Sequence, residues 1–277
     1  MELRRPETPD DAVAVLGDGA RAIAGGTELV PLLHDGIVSA ETLVDLRHAV
    51  PRGVHDGRIG AGTTLAELER DAGIPDVLRE ACRLAASPQL RSMGTIGGNL
   101  LQATRCWYWR LRFPCWLHGG ERCFAKDGMH REHAIFGNAR CASAHPSDPA
   151  AALVALRATI RTDRREMPVA DLYRLPTDDD RATTTLARDE LILELGVPRP
   201  EASVYLKQMD RRRWDFPLVG VAAARFGAEV RLALAGVAPI PWALSGKDGL
   251  DDATPLPGTA YKLDLARVLV RRALASM

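Results

Sequence analysis

The sequence has no surplus of either charge: Lys plus Arg and Asp plus Glu both number 36. A balanced chain has no bulk attraction for nucleic acid or an anionic membrane, so neither is expected as a partner. No run of 18 apolar residues occurs, which excludes a spanning helix. No apolar stretch follows Arg4 and Arg5, so no secretory signal is expected and the chain reads as cytoplasmic. Cysteine is scarce, five in 277 residues, and structural disulfides are rare in a reducing compartment. There is no G-x-G-x-x-G fingerprint, no Walker phosphate loop and no C-x2-C zinc knuckle. No Ser-His-Asp arrangement and no pair of acid–base carboxylates stands out, so no side chain is expected to be catalytic. What is present is ordinary for a folded protein: 46 % hydrophobic and 26 % charged residues, enough for one large domain or two modest ones.

Short strands and helices alternate along the first half. Asp10 and Asp11 read as the cap of a helix, and Arg21 to Ala24 as a strand running into Gly25-Gly26-Thr27. A helix is expected from Glu28 to His34, and strands over 42–46 and 58–61. Thr64 with Glu67 three residues on is a capping-box signature. Val77 to Ala86 reads as helix, ended by Ser87-Pro88. Pro149 to Ala158 is expected as helix and Thr159 to Thr162 as strand. The polar stretch 172–188 reads as a join between two domains, with Asp178 to Asp180 in a solvated loop. Glu190 to Val197 follows as a strand. Segments 204–208, 218–224 and 230–235 are strand or helix, and Leu263 to Ala275 is a C-terminal helix.

Two glycine pairs share one physical character. Ala24-Gly25-Gly26-Thr27 lies between a strand and a helix, and Thr95-Ile96-Gly97-Gly98-Asn99 lies in a loop opened by Gly94. Paired glycines let a backbone approach a ligand closely, and successive N–H groups form a nest suited to a pyrophosphate. Each is equally readable as a plain turn, as is Gly60-Ala61-Gly62-Thr63. Four cysteines, Cys106, Cys115, Cys123 and Cys141, are spaced C-x8-C-x7-C-x17-C, whereas Cys82 stands apart on a helix as a buried apolar side chain. The four are either separate structural residues or ligands of an iron–sulfur centre, which tolerates irregular spacing. Trp107, Tyr108, Trp109, Phe113 and Trp116 lie among them, either to wrap such a centre or as ordinary packing. His118, His130, His133 and His145 read as structural neighbours.

The ordered set AGGTELVPLL, GAGTTLAEL, SMGTIGGNLLQA and HPSDPAAALVALRATI resembles the FAD-binding (medium) subunit of the xanthine dehydrogenase and carbon monoxide dehydrogenase molybdenum hydroxylase family. The later pieces DELILELGVP, YLKQMDRR and PLPGTAYKLDLARVLVRRAL are similar to that family's C-terminal domain. The resemblance implies an α+β fold: a two-lobed FAD-binding domain over 1–170 with an inserted Cys-rich loop 105–141, then a smaller α+β domain over 186–277. It implies that Arg21-Ala22-Ile23-Ala24-Gly25-Gly26-Thr27-Glu28 wraps the FAD diphosphate from one lobe. Thr95, Ile96, Gly97, Gly98 and Asn99 approach it from the other. Ala85 or Ala86, Asp148, Ile192 and Lys207 match further FAD positions. Asp148 is also readable as a helix cap, and Lys207 as a solvated surface lysine.

The segment from Arg105 to Cys141 looks like the [4Fe-4S] loop of the 4-hydroxybenzoyl-CoA reductase beta subunit and the periplasmic aldehyde oxidoreductase FAD subunit. Its four cysteines match in order, which implies a cluster held by Cys106, Cys115, Cys123 and Cys141. The function so implied is electron transfer between iron–sulfur centres, FAD and an external acceptor or donor. A molybdopterin-binding large subunit and a [2Fe-2S] small subunit are the expected partners, with a homo-oligomer open. The bridge between Pro241 and Pro255 is shorter than in the family, which motivates an alternative: a stand-alone FAD oxidoreductase, with or without the cluster, acting on a small molecule.

Overall fold

The computed structural model describes residues 1–277, with the side chains of all but Lys247 and Asp248. The first lobe is a three-stranded sheet. Strand β1 (Glu2–Arg4) and β2 (Ala20–Ile23) run parallel to the central β3 (Thr42–Asp45). Parallel neighbours need crossovers, supplied here by α1 (Pro9–Val15) and α2 (Leu29–His34). Thr8, not the aspartates, caps α1: its side chain accepts from the Asp11 N–H, and Asp10 and Asp11 occupy the first turn. There their charge still favours the positive end of the helix.

The second lobe is a five-stranded sheet in the order β4-β5-β8-β6-β7. Its strands are β4 (Val54–His55), β5 (Arg58–Gly60), β6 (Thr159–Thr162), β7 (Glu166–Pro168) and β8 (Ile192–Gly196). Every neighbouring pair is antiparallel. The sequence reading placed β8 in the C-terminal unit, but it hydrogen-bonds to β5 and β6 instead. Pairing of that kind is non-local and leaves no mark in the strand's own residues.

Helices α3 (Leu65–Leu68), α4 (Asp76–Leu84), α5 (Pro88–Met93) and α6 (Ile96–Leu100) follow β5. The capping box at Thr64 and Glu67 forms as expected. Two further caps correct the loop reading. Ser87 accepts from the Leu90 N–H and opens α5 with Pro88 at its start, and Thr95 accepts from the Gly98 N–H and opens α6. Ser-Pro is therefore a start as well as a stop.

Residues 105–141 hold only the short helices α7 (Trp107–Arg110) and α8 (Phe124–Asp127) and one tight turn at Trp116–His118. Helix α9 (Asp148–Ala155) comes next, with every residue buried. Four antiparallel strands close the chain in the order β12-β11-β10-β9: β9 (Ala202–Gln208), β10 (Val219–Phe226), β11 (Glu229–Ala235) and β12 (Trp242–Leu244). Then comes α10 (Tyr261–Ala275).

Strand β10 is covered on both faces, so period-two alternation divides two cores. Val219, Val221 and Ala223 meet Ala266, Leu269 and Ala273 of α10. Ala222 and Ala224 meet the core of α4 and α9. The Cys-rich segment is bound to this sheet: the Ile135 and Phe136 N–H groups both donate to the Val237 carbonyl, and Phe136 stacks on Trp242 at 5.1 Å. No described helix is long and apolar enough to cross a membrane.

Candidate functional site

A cleft of about 500 Å³ opens where the two lobes and the C-terminal sheet meet, within the range usual for a cofactor site. Its near wall is the end of β2 and the turn after it, from Ala22 to Glu28. Its far wall is the start of α6, with Thr95, Gly97, Gly98 and Asn99. Ala85, Ala86 and Ile192 complete the expected lining. Arg21 lies off the wall, and Ile96 is buried in the core beneath it.

The two walls touch, and this is what Gly25 is for. A Cβ there would overlap the Met93 carbonyl, so only glycine lets the two backbones meet. Gly26 adopts φ 71°, the left-handed region. Among the described residues, the backbone N–H groups of Gly25, Gly26 and Thr27 donate to no protein acceptor. Three free amides on a cleft wall suit an anionic ligand. Gly97 is different, since its Cβ would stand 3.0 Å from the Ala61 Cβ. A Cβ on Gly98 would meet only Thr95 Oγ1, at 3.1 Å. The Asn99 Oδ1 accepts from Ser147 Oγ at 2.6 Å, which leaves the Asn99 amide nitrogen free to donate into the cleft.

Glu28 lines the cleft, but its carboxylate is already engaged. It accepts from Arg105 and Arg110, each at 2.6 Å, and from the Ala103 N–H at 3.1 Å. The glycine turn is thereby tied to the start of the Cys-rich segment. A carboxylate left free there would repel a diphosphate; paired with two arginines, it does not.

Asp148 and Lys207 stand behind the wall rather than on it. Both side chains are sealed from solvent (1 % and 0 % exposed) and pair at 2.9 Å. The reading of Lys207 as a surface lysine is therefore wrong. Nor does Asp148 cap α9, because Ser147 does, accepting from the Ala150 N–H. Burial raises the Asp148 carboxyl above its ordinary range, outweighing the attraction of Lys207 and the Tyr205 hydroxyl. Lys207 Nζ also donates to the carbonyls of Leu84 at 2.9 Å and Asp215 at 2.7 Å. One ammonium so braces two walls of the cleft, the end of α4 and the β9–β10 loop. Trp214, Asp215 and Phe216 of that loop line the cleft and were missed from sequence. The available signal was Trp214 and Phe216 flanking Asp215 just after an arginine run, an apolar pair placed in a turn.

The four cysteines come together. Cys106, Cys115, Cys123 and Cys141 all line one small chamber with Tyr108, Trp109, Trp116 and Phe124, and none forms a disulfide. Cys106, Cys115 and Cys123 each sit at the N-cap of a short helix or turn. The Ala142 N–H donates to the Cys123 sulfur at 3.5 Å, and nearby backbone amides favour the thiolates: Tyr108 and Trp109 beside Cys106, Leu117 and His118 beside Cys115, Ala125 and Lys126 beside Cys123, and Ser143 beside Cys141. The hydrogen bond shared with Cys141 and these amides hold the Cys123 thiol down at about 6, while the same contact and burial push Cys141 up. Among the described residues, no three His, Cys, Asp or Glu side chains gather to hold a single metal ion.

Segment 172–188 clamps this chamber. Asp178 is exposed, as the sequence predicts, and from there it accepts from the Trp116 indole at 3.2 Å and pairs with Arg140. Arg181 lies 4.8 Å over the Trp116 ring and donates to the Gly120 carbonyl.

A cleft between two lobes, walled by close-packed glycine turns with free amides, defines a protein that holds an extended anionic cofactor. The family described as FAD binding domain in molybdopterin dehydrogenase matches residues 1–200. The Escherichia coli K12 protein named aldehyde oxidoreductase FAD-binding subunit PaoB is 33 % identical, over 99 % of this chain and 95 % of that protein. The carbon monoxide dehydrogenase medium chain of Afipia carboxidovorans is 40 % identical over 36 % of this chain and 38 % of its own length. A chain of the Hydrogenophaga pseudoflava carbon monoxide dehydrogenase shares the fold, with TM-score 0.72 and 23 % identity over 99 % of this chain and 96 % of that one. This chain belongs to the FAD-binding subunits of the molybdenum hydroxylase family of oxidoreductases.

Proposed function

We propose that this subunit carries electrons between a [4Fe-4S] cluster in the cysteine chamber and FAD in the cleft. A molybdopterin-binding subunit and a [2Fe-2S] subunit complete the enzyme. The observation that carries this reading is four free cysteines on one chamber. A cubane cluster takes one thiolate at each of four separated irons. It therefore needs four cysteines around a chamber rather than three ligands on one ion. Amide donors stabilise the thiolates, and the aromatic walls keep water out, both of which set a cluster's potential.

FAD supplies the one- and two-electron chemistry when bound; the protein binds and orients it. The free amides of Gly25, Gly26 and Thr27 are assigned to the diphosphate, with Thr95, Gly98 and Asn99 facing them. Asp148 and Lys207 hold the walls, and Arg21 and Ile96 support the strand and the helix. We divide the chain between Gly196 and Ala202, where the second lobe's sheet ends and the C-terminal sheet begins. Because the relative matched over nearly the whole chain is named for aldehydes, an aldehyde is the substrate class to test first on the assembled enzyme.

The test is anaerobic purification with flavin and iron quantified on one sample. The expected result is one flavin and roughly four irons per chain, with Cys115→Ser losing iron before flavin. Flavin without iron would remove the cluster and leave the cysteines structural. Turnover of a small molecule by the subunit alone would favour the stand-alone flavoenzyme.

A further inference from the structure

Beside the cysteine chamber lies a further cavity of about 70 Å³, lined by Arg105, Trp107, His133, Asp215 and Phe216 among others. Arg105, Asp215 and Phe216 also line the flavin cleft, and Cys106 lines both the cavity and the cysteine chamber. The cavity therefore sits between the two redox sites. It also gathers unpaired groups. Arg105 Nε, Trp107 Nε1 and His133 Nδ1 are buried with no hydrogen-bond partner, and all three residues line it. Buried polar atoms are seldom left unpaired. A space of this size takes about two waters at ~30 Å³ each.

His133 is buried, 3 % exposed. A neutral imidazole has one N–H. Its Nε2 lies 3.2 Å from the Cys106 sulfur, and the ring packs edge-on to Trp107 at 5.1 Å. Arginine and indole nitrogens only donate, so a water accepting from them has a proton to give to His133 Nδ1. That places the imidazole's own proton on Nε2, aimed at sulfur.

We propose that His133 is a positioning residue for electron transfer: its Nε2–H donates to the Cys106 sulfur, with that tautomer fixed by water bridging Arg105, Trp107 and His133. This rests on the cluster reading above. A donor to a ligating sulfur stabilises the extra negative charge of the reduced cluster, so it raises the reduction potential.

The test is iron content and potentiometric titration followed by electron paramagnetic resonance on the anaerobic protein. His133→Leu is expected to keep iron and flavin and to shift the reduction equilibrium about tenfold toward the oxidised form. For a one-electron couple that is about 59 mV lower. His133→Gln, which keeps a donor, restores part of the shift, and Trp107→Phe gives a smaller shift in the same direction. An unchanged potential in an iron-replete His133→Leu protein overturns the inference and leaves the cluster standing. Loss of iron from both His133 variants also overturns it, since the residue then builds the site rather than tunes it. A wild-type protein without iron instead removes the cluster itself and, with it, this role.

Discussion

Lys207→Met tests whether one buried ammonium holds the flavin cleft in shape. The lysine side chain is fully buried and pairs with Asp148 at 2.9 Å. It also donates to the carbonyls of Leu84 and Asp215. Methionine matches the length of the stem but has no donor. Asp148 is then left with only the Tyr205 hydroxyl, a buried carboxyl without its counter-charge. Removing one partner of such a pair costs about 3–5 kcal/mol. At about 2–4 °C per kcal/mol for chains of 150–250 residues, the melting temperature falls by roughly 10 °C. Adding Asp148→Asn removes the stranded charge while keeping an acceptor for Tyr205, so the double variant is expected to recover about 2 kcal/mol. Flavin should respond as well, because Leu84 and Asp215 anchor opposite walls. Excess FAD at 100 times Kd stabilises a one-site protein by about 2.7 kcal/mol, and Lys207→Met should gain less than the wild type. The assay is thermal unfolding of both single variants and the double, with and without FAD. A Lys207→Met protein within about 0.5 kcal/mol of wild type, or a double variant no more stable than the single, would refute the brace.

The two glycine turns should separate by mechanism. Gly25→Ala drives a methyl group into the Met93 carbonyl and is expected to cost about 1–3 kcal/mol of overpacking together with flavin, read by melting and flavin stoichiometry. Gly98→Ala meets only Thr95 Oγ1, so it should fold near normally while flavin affinity drops; unchanged affinity would place the diphosphate elsewhere. Glu28→Gln weakens the tie to Arg105 and Arg110 and should raise protease cleavage within 105–141, visible by mass spectrometry. Burial holds the Lys262 amine down at about 7, from 10.5. The unfolded chain therefore binds the extra proton between those values, and this lysine makes stability rise with pH from about 7 upward. In Lys262→Met that rise between pH 7 and 9 should flatten, as followed by urea titrations at several pH values.

Much of the local architecture was legible in the residues. The capping box at Thr64 announces itself because both partners lie within four residues, and the strand before Gly25 is readable for the same reason. The glycine turns were legible as turns, with a ligand nest and plain packing both open, and the ordered motifs carried the family. The caps at Thr8, Ser87 and Thr95 were not singled out, because each lies beside a residue with an equal or stronger signal of its own. The last β-strand of the second lobe was placed in the wrong unit, since its partners are more than thirty residues away on one side and over a hundred on the other.

The sequence by itself determined the two glycine turns and the four cysteines in one segment, because each is a property of neighbours along the chain, and it implied the class of fold only through the resemblance that its ordered motifs carry. It could not decide which role a side chain takes when the roles differ only in what surrounds it. Lys207 looks the same in water and in the core; helix α4, Asp148 of α9 and the β9–β10 loop close over it and make it a brace. Gly25 is glycine because a second backbone crosses it, and that backbone is nearly seventy residues away. The four thiols share a chamber because the C-terminal sheet and segment 172–188 press the loop shut, a contact that only the packed structure contains.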